Sequence, residues 1–366
     1  MNKDQPIWVT GCMSGTSMDG VDVALVRTDG VDIFEFAETQ FAPFSADDQR
    51  ALTAALGQWP GDQGVARVAD IVETAHIAVL GTVPRSDLIG FHGQTLAHDP
   101  TNRRTHQAGD GARIAQALHT PVVWDFRSDD VAMGGQGAPL APAFHHALIR
   151  WAGVQGPVVV LNLGGVGNAT LVDPDRPMDQ GGVVAFDTGP ANAPMNDLMQ
   201  KRLGKSFDAN GAIAMSGQVS MPLVQAFLSH PFFSASIPKS LDRNDFEHAL
   251  APVLALETAD ALATLCAIVA GSVAQGLAML PAQPLRVLVT GGGRKNPAIM
   301  AALRSCLSCC VDPIEDIGAD GDMVEAQAFA YLAARVARGL PTSFPTTTGV
   351  GVPMGGGILS RPTPAD

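Results

Sequence analysis

The sequence predicts an α/β chain of two lobes, each a mixed sheet flanked by helices, and three observations lead there. Residues 7–10 form a β-branched run that enters a glycine loop (Gly11, Gly15, Gly20), and an alternating run, residues 21–26, leaves it. That segment reads as strand, loop, strand. The pattern returns in shorter form after Pro157: an apolar strand over Val158–Leu163, a turn Gly164-Gly165-Val166-Gly167-Asn168, and a strand over residues 169–172. A third glycine cluster, Gly291-Gly292-Gly293, stands between an apolar strand (residues 285–289) and a helix (residues 297–303).

The other elements follow from local spacing. Strand three is expected over residues 31–41. Ser45 is placed to cap a first helix, and apolar spacing makes residues 62–80 a second. A buried strand, residues 87–91, ends in His92-Gly93-Gln94-Thr95. A helix over 113–118 precedes a strand over 121–124 that ends in Asp125-Phe126-Arg127, and a glycine-dense loop, residues 133–142, carries Gln136.

A chain of 366 residues suggests roughly two domains of ~150 residues. With 46% hydrophobic and 16% charged residues it has ample material for large cores. The formal charge of −13 argues against a nucleic-acid surface, which needs clustered Lys and Arg. The N-terminus shows no apolar leader region. Residues 261–280 lack charge and are long enough to span a membrane, but they are alanine-rich and include Gly271, Ser272, Gln275 and Gly276, so a buried helix is expected. Five cysteines without paired spacing suit a reducing cytoplasm. Cys306-x-x-Cys309-Cys310 lacks a nearby fourth ligand and reads as free thiols near a helix end rather than zinc.

The first loop holds Ser14, Thr16 and Ser17 as hydroxyl donors, with Met18 between them and Asp19, and Asp22 beyond Val21. Glycines let backbone N–H groups approach a polyanion. The carboxylates are compatible with phosphate only if Mg²⁺ or a polarised water intervenes, which makes Asp19 the candidate metal contact. With no lysine, this is not a P-loop. The bland alternative is a surface hairpin rich in turn formers. Asp187, delivered by an apolar strand into Thr188-Gly189-Pro190, suits a general base or metal ligand, or else caps the helix near residues 195–203. Arg127 could meet phosphate charge or form a surface ion pair. Glu325 opens an alanine-rich helix, where the dipole alone favours an acid. His92 is the histidine best placed for substrate. No serine–histidine–acid set accompanies Ser14.

The two hairpin turns and the glycine cluster together resemble the acetate and sugar kinase, heat-shock chaperone and actin superfamily, whose two ribonuclease-H-like lobes clamp ATP in a cleft (the actin-like ATPase fold). The ordered motifs G-x-M-S-G-T-S-M-D-G-V-D, F-H-G-Q-T, D-F-R-x-x-D-x-A-x-G-G-Q-G-A-P-L, N-L-G-G-V-G-N, D-T-G-P-A-N and G-D-x-x-E-A are more specific. They span nearly the whole chain and are similar to the anhydro-N-acetylmuramic acid kinase family. The resemblance implies a cytoplasmic, homodimeric, ATP- and Mg²⁺-dependent kinase. It would open the 1,6-anhydro ring of anhydro-N-acetylmuramic acid and phosphorylate O6. Gly15 to Asp22, with Gly20 and Val21 among them, Gly164, Gly165, Asn168 and the three later glycines would hold ATP. Asp187 would be catalytic with Arg127 and Glu325 in support, and His92, Gln94, Gln136 and Asn192 would face the sugar. Its lactyl carboxylate would meet Arg104, Arg113, Lys239 or Arg243. Lobe one would comprise residues 1–130 with about 345–366, and lobe two residues 131–344. The family's turn has glycine where this chain has Ala191, which raises the question of strain there. Alternatives are another sugar or carboxylate kinase of the superfamily, or a non-catalytic ATP-driven clamp.

Overall fold

β1 (Ile7–Met13) and β2 (Gly20–Thr28) pair antiparallel with Met13 opposite Asp22, and β3 (Ile33–Pro43) continues the sheet from β2. These come from a computed structural model that describes residues 5–15, 17–241 and 245–363. α1 (Ala46–Ala54) starts where the Ser45 hydroxyl accepts from the Asp48 N–H, and α2 (Val65–Leu80) buries Val65, Val68, Val72 and Val79 along one stripe. β4 (Leu88–Phe91) lies parallel to β1. β5 (Gln94–Asp99) and β6 (Arg104–Ala108) form a small separate hairpin. Next come α3 (Gly111–Leu118), capped by Asp110, then β7 (Val122–Trp124), α4 (Ser128–Ala132) and α5 (Pro142–Trp151).

The second unit begins with β8 (Val158–Leu163), β9 (Val166–Val172) and β10 (Val183–Pro190). α6 (Asn192–Leu203), α7 (Met221–Leu228), α8 (Glu247–Leu254) and α9 (Thr258–Ala278) follow. β11 (Arg286–Thr290), α10 (Pro297–Cys306) and β12 (Cys310–Pro313) complete it. The chain then returns to the first unit through α11 (Val324–Arg338) and β13 (Ile358–Ser360).

Each unit is a mixed sheet flanked by helices, as expected. The first sheet runs β13-β7-β4-β1-β2-β3 and the second β10-β9-β8-β11-β12. The expected tail does pair with β7, but the borders differ from the sequence reading: the units are Met1–Val154 with Met323–Asp366, and Gln155–Asp322. α5 carries a nearly continuous apolar surface and Phe144 meets Phe36 of β3 and Tyr331 of α11, which holds residues 131–154 to the first unit. α11 belongs there because it covers β1, β2 and β4. α9 is, among the described residues, the one helix long and apolar enough to cross a membrane, and most of it is buried in the core of the second unit.

Gly11 lies inside β1, not in the loop. A Cβ there would stand 1.9 Å from the Ala326 carbonyl oxygen, and one on Gly90 of β4 2.2 Å from that of Phe329. The two glycines let α11 rest directly on the sheet.

Candidate active site

The residues singled out by sequence fall in both units, one group in each. In the first unit, residues 14–19 join β1 to β2. The Gly15 carbonyl accepts from Gln94 Nε2 (3.1 Å) and the Met18 N–H (3.1 Å), and the buried Ser14 hydroxyl faces the Gly93 carbonyl at 3.5 Å. Gln94, expected at the sugar, braces the glycine loop through Nε2 and keeps a buried Oε1 with no partner among the described residues. Met18 and Val21 send their side chains into the core, so only their backbone is available to a ligand. Thr16 lies outside the described residues. Ser17 Oγ donates to Asp19 Oδ1 (2.8 Å) on the exposed side of the loop. Gly20 has a reason within the fold: a Cβ would meet the Ala42 carbonyl oxygen at 2.4 Å. Gly15 has none, since its φ is ordinary and the nearest atom to a Cβ is Ser17 Oγ at 3.7 Å.

β4 ends at His92, which is buried, lies on the Phe329 ring and uses both nitrogens. Nδ1 is 2.8 Å from the Gly93 carbonyl, which can only accept, so Nδ1 carries the proton and Nε2 accepts from Arg127 Nε (3.0 Å). Burial and the adjacent guanidinium hold its pKa well below the usual range, which keeps the ring neutral. His92 thus orients Arg127; the expectation that it touches sugar is not what its bonds show. Arg127 also donates to the Gly137 carbonyl (2.7 Å). Burial lowers its pKa to about 10, opposed by the charges of Glu325 and Asp130, so it is cationic at neutral pH and is not a surface ion pair. Glu325, the second residue of α11, is open to solvent on the same unit. The Gln136 main chain is fixed by Thr348 and by His98 Nε2 (2.8 Å).

In the second unit, Gly164 and Gly165 form the tight turn between β8 and β9. Asn192 donates from its N–H to the Gly164 carbonyl (2.9 Å) and from Nδ2 to Leu163 O (2.8 Å), and the Ala191 N–H reaches Gly165 O (3.2 Å). Asn192 therefore clamps the turn. A Cβ on Gly164 or Gly165 would meet nothing closer than 3.7 Å. Asn168 is on β9, opposite both Asn162 and Asp187. Gly291 (φ +74°) and Gly293 are required by packing on the end of β8, where their Cβ atoms would come within 2.3 Å of Asn162 Oδ1 and 2.5 Å of Leu163 Cβ. Gly292 meets only Asn192 Nδ2, at 3.1 Å. Sequence reasoning missed Arg294, which ties this turn to Glu315 (2.7 Å) and Asp322 (3.0 Å) and is legible only once the loops are folded together.

Asp187 sits on β10 at a bulge and is no helix cap, since α6 begins at Asn192. Its N–H donates to Lys239 O (2.8 Å) and its Oδ2 accepts from the Leu241 N–H (2.8 Å). Burial pushes its pKa up to about 7, the Leu241 bond opposing. Ala191 has φ −127°, outside the left-handed region, so a positive φ is not what would call for glycine there. Of the cations proposed for the lactyl carboxylate, Arg113 is engaged by Asp70 and Glu73, and Arg104 by Asp99 and the Trp59 ring. Lys239 donates to main-chain carbonyls, and Arg243 lies outside the described residues. Among the described residues no group of three His, Cys, Asp or Glu could hold a metal, and the five cysteines are free thiols.

The comparisons with known proteins place the chain among the ATP-dependent phosphotransferases. More particularly, the chain belongs to the anhydro-N-acetylmuramic acid kinase family, whose model matches residues 7–359. Its relatives include the anhydro-N-acetylmuramic acid kinases of Ruegeria sp. strain TM1040 (56% identical, 99% of this chain and 97% of that protein) and Rhodospirillum rubrum (48%, 97% and 94%). Among solved structures it is similar to a ROK family glucokinase from Streptomyces griseus in complex with glucose and AMPPNP (13% identical, TM-score 0.43, 90% of this chain and 99% of that one).

Proposed function

We propose that the protein uses ATP and water to open the 1,6-anhydro ring of anhydro-N-acetylmuramic acid, giving N-acetylmuramic acid 6-phosphate and ADP in murein recycling. The observation that carries this is Asp187, a carboxylate held at the β10 bulge by the Leu241 N–H, whose burial raises its pKa towards neutrality. Ordinary glycoside cleavage needs an acid for the leaving oxygen as well as a base. Here the leaving O6 stays on the sugar and takes the γ-phosphoryl group, so a single base suffices. Asp187 removes a proton from water attacking C1, the C1–O6 bond breaks, and O6 displaces ADP from the γ-phosphorus. Arg127, held by His92 and Gly137, supplies positive charge to the developing phosphate.

Mg²⁺ fits as a nucleotide-borne ion: Asp19 is exposed with one bond to Ser17, a single-carboxylate contact of the kind kinases use, and when bound the ion would offset phosphate charge. In the same reading the enzyme is a cytoplasmic homodimer, the location supported by its odd, unpaired cysteines.

Turnover in ¹⁸O-water tests the reaction. The product is expected to carry one ¹⁸O at C1 and none in its phosphate; label in inorganic phosphate without phosphosugar would identify a nucleotide-driven clamp instead. Gly165→Ala tests the second turn. The fold accommodates this methyl, whereas phosphate does not, so KM for ATP should rise at least tenfold with Tm within about 2 °C of the parent, the scatter expected of a surface change below ~0.5 kcal/mol. An unchanged KM for ATP would remove Gly165 from the nucleotide site.

A further inference from the structure

Lys239 stood as one candidate to bind the substrate's carboxylate, but its bonds point elsewhere. β10 is an edge strand, and residues 239–241 bond to Asp187 on it. Lys239 O receives the Asp187 N–H and the Leu241 N–H is given to the Asp187 carboxylate, so this short strap grips both ends of one residue. The Lys239 ammonium is bonded to Phe232 O at 2.8 Å, faces Phe233 O at 3.4 Å, and lies 4.4 Å from the centre of the Phe232 ring and 3.8 Å from Met279 Sδ. The turn Pro231–Ser234 that offers those carbonyls is itself fixed, because Phe233 is buried and stacked on Phe246. Met279 follows the last residue of α9, the central helix of the unit. The side chain therefore ties the strap to the core.

We infer that Lys239 is the positioning residue for Asp187: its ammonium, by capping the Phe232 and Phe233 carbonyls, sets the strap whose backbone holds the base. This rests on the proposed role of Asp187. A cation spent on neutral carbonyls in a protein of net charge −13 is otherwise poorly placed, and burial of the ammonium lowers its pKa, in keeping with a packed rather than solvated head. Few groups could confound a pH experiment. β9 offers no titratable side chain and places Asn168 opposite Asp187. Beyond Asp260, α9 offers only Cys266, whose pKa burial pushes up to about 12. The strap itself offers Lys239.

The test uses the full chain with Lys239→Met, which keeps the packing on Phe232 and Met279, and Lys239→Arg, which can again donate to both carbonyls. Lys239→Met should lower kcat at least tenfold with KM for ATP and for anhydro-N-acetylmuramic acid within twofold. Its acid limb in kcat should shift by half a unit or more, since a loosened strap changes both the burial of Asp187, which raises its pKa, and the Leu241 N–H bond, which lowers it. Lys239→Arg should recover most of the kcat. Exchange of the Leu241 amide with deuterium should accelerate at least tenfold in Lys239→Met, a readout that does not depend on turnover. A tenfold rise in KM for the sugar with kcat and the limb unmoved would overturn the inference and make Lys239 the carboxylate ligand; so would unchanged exchange at Leu241. Asp187→Asn run alongside separates the two claims: full turnover in that variant removes the role of Asp187, while a dead Asp187→Asn with a silent Lys239→Met removes only that of Lys239.

Discussion

Asp187→Asn should reduce phosphosugar formation by about 10² to 10⁴-fold, the span that general-base catalysis usually contributes. The amide can still accept from the Leu241 N–H and still fills the site beside the β10 bulge, but it cannot take a proton from water. ATP affinity should stay within twofold, because the turns assigned to phosphate are separate from this carboxylate. In the parent, kcat should fall tenfold per pH unit below about 7, where Asp187 becomes protonated. The same residue has a second, opposite effect on stability. Its carboxyl has an ordinary pKa of 3.8 and a folded value of about 7, so between those values the folded chain binds the extra proton. Stability contributed by this site is therefore lost as pH rises through that window. Asp187→Asn lacks the term and should melt higher than the parent at pH 8, with the difference gone at pH 3.5. Kinetics and calorimetry on the one variant check both effects; near-normal turnover would end the assignment.

Much of this was legible beforehand because the strongest signals are local. Two strand–glycine–strand units, the apolar stripe of α2 and the Asn192 and Asp187 neighbourhoods are contiguous in sequence, so their order survives translation into space. What escaped were bonds between distant segments. The pairing of His92 with Arg127 spans 35 residues and that of Asp187 with Leu241 spans 54, and neither has a sequence period or motif to announce it. Residue type also misleads about role. Gln94 and Asn192, expected at the sugar, each also brace a glycine turn through the amide nitrogen, since a side-chain amide serves a backbone carbonyl as well as it serves a hydroxyl. The borders between units shifted for a different reason: α5 follows the glycine-dense loop in sequence, yet its apolar face belongs on the first sheet.

Glycines show the same ambiguity, and here a single methyl group separates the meanings. Gly11→Ala should destabilise the first unit by about 3 kcal/mol or more, the upper part of what overpacking a tight interior costs. The methyl would stand 1.9 Å from Ala326 O and 2.4 Å from Ala330 N, both backbone atoms of α11, so no rotamer change can relieve it. The helix must lift from β1, and Gly90, whose own clearance to Phe329 O is set by the same contact, loses its fit with it. At roughly 2–4 °C per kcal/mol for a unit of this size, Tm should fall by about 6–12 °C. Glu325 and the Phe329 ring under His92 both ride on α11, so kcat should drop as well while the second unit keeps its structure. Calorimetry of Gly11→Ala beside Gly165→Ala decides the matter: the same substitution, within the same sequence pattern of strand and glycine, should unfold one unit early and leave the other intact but weak for ATP. Equal melting of the two would mean that α11 does not rest on β1 as closely as these contacts require.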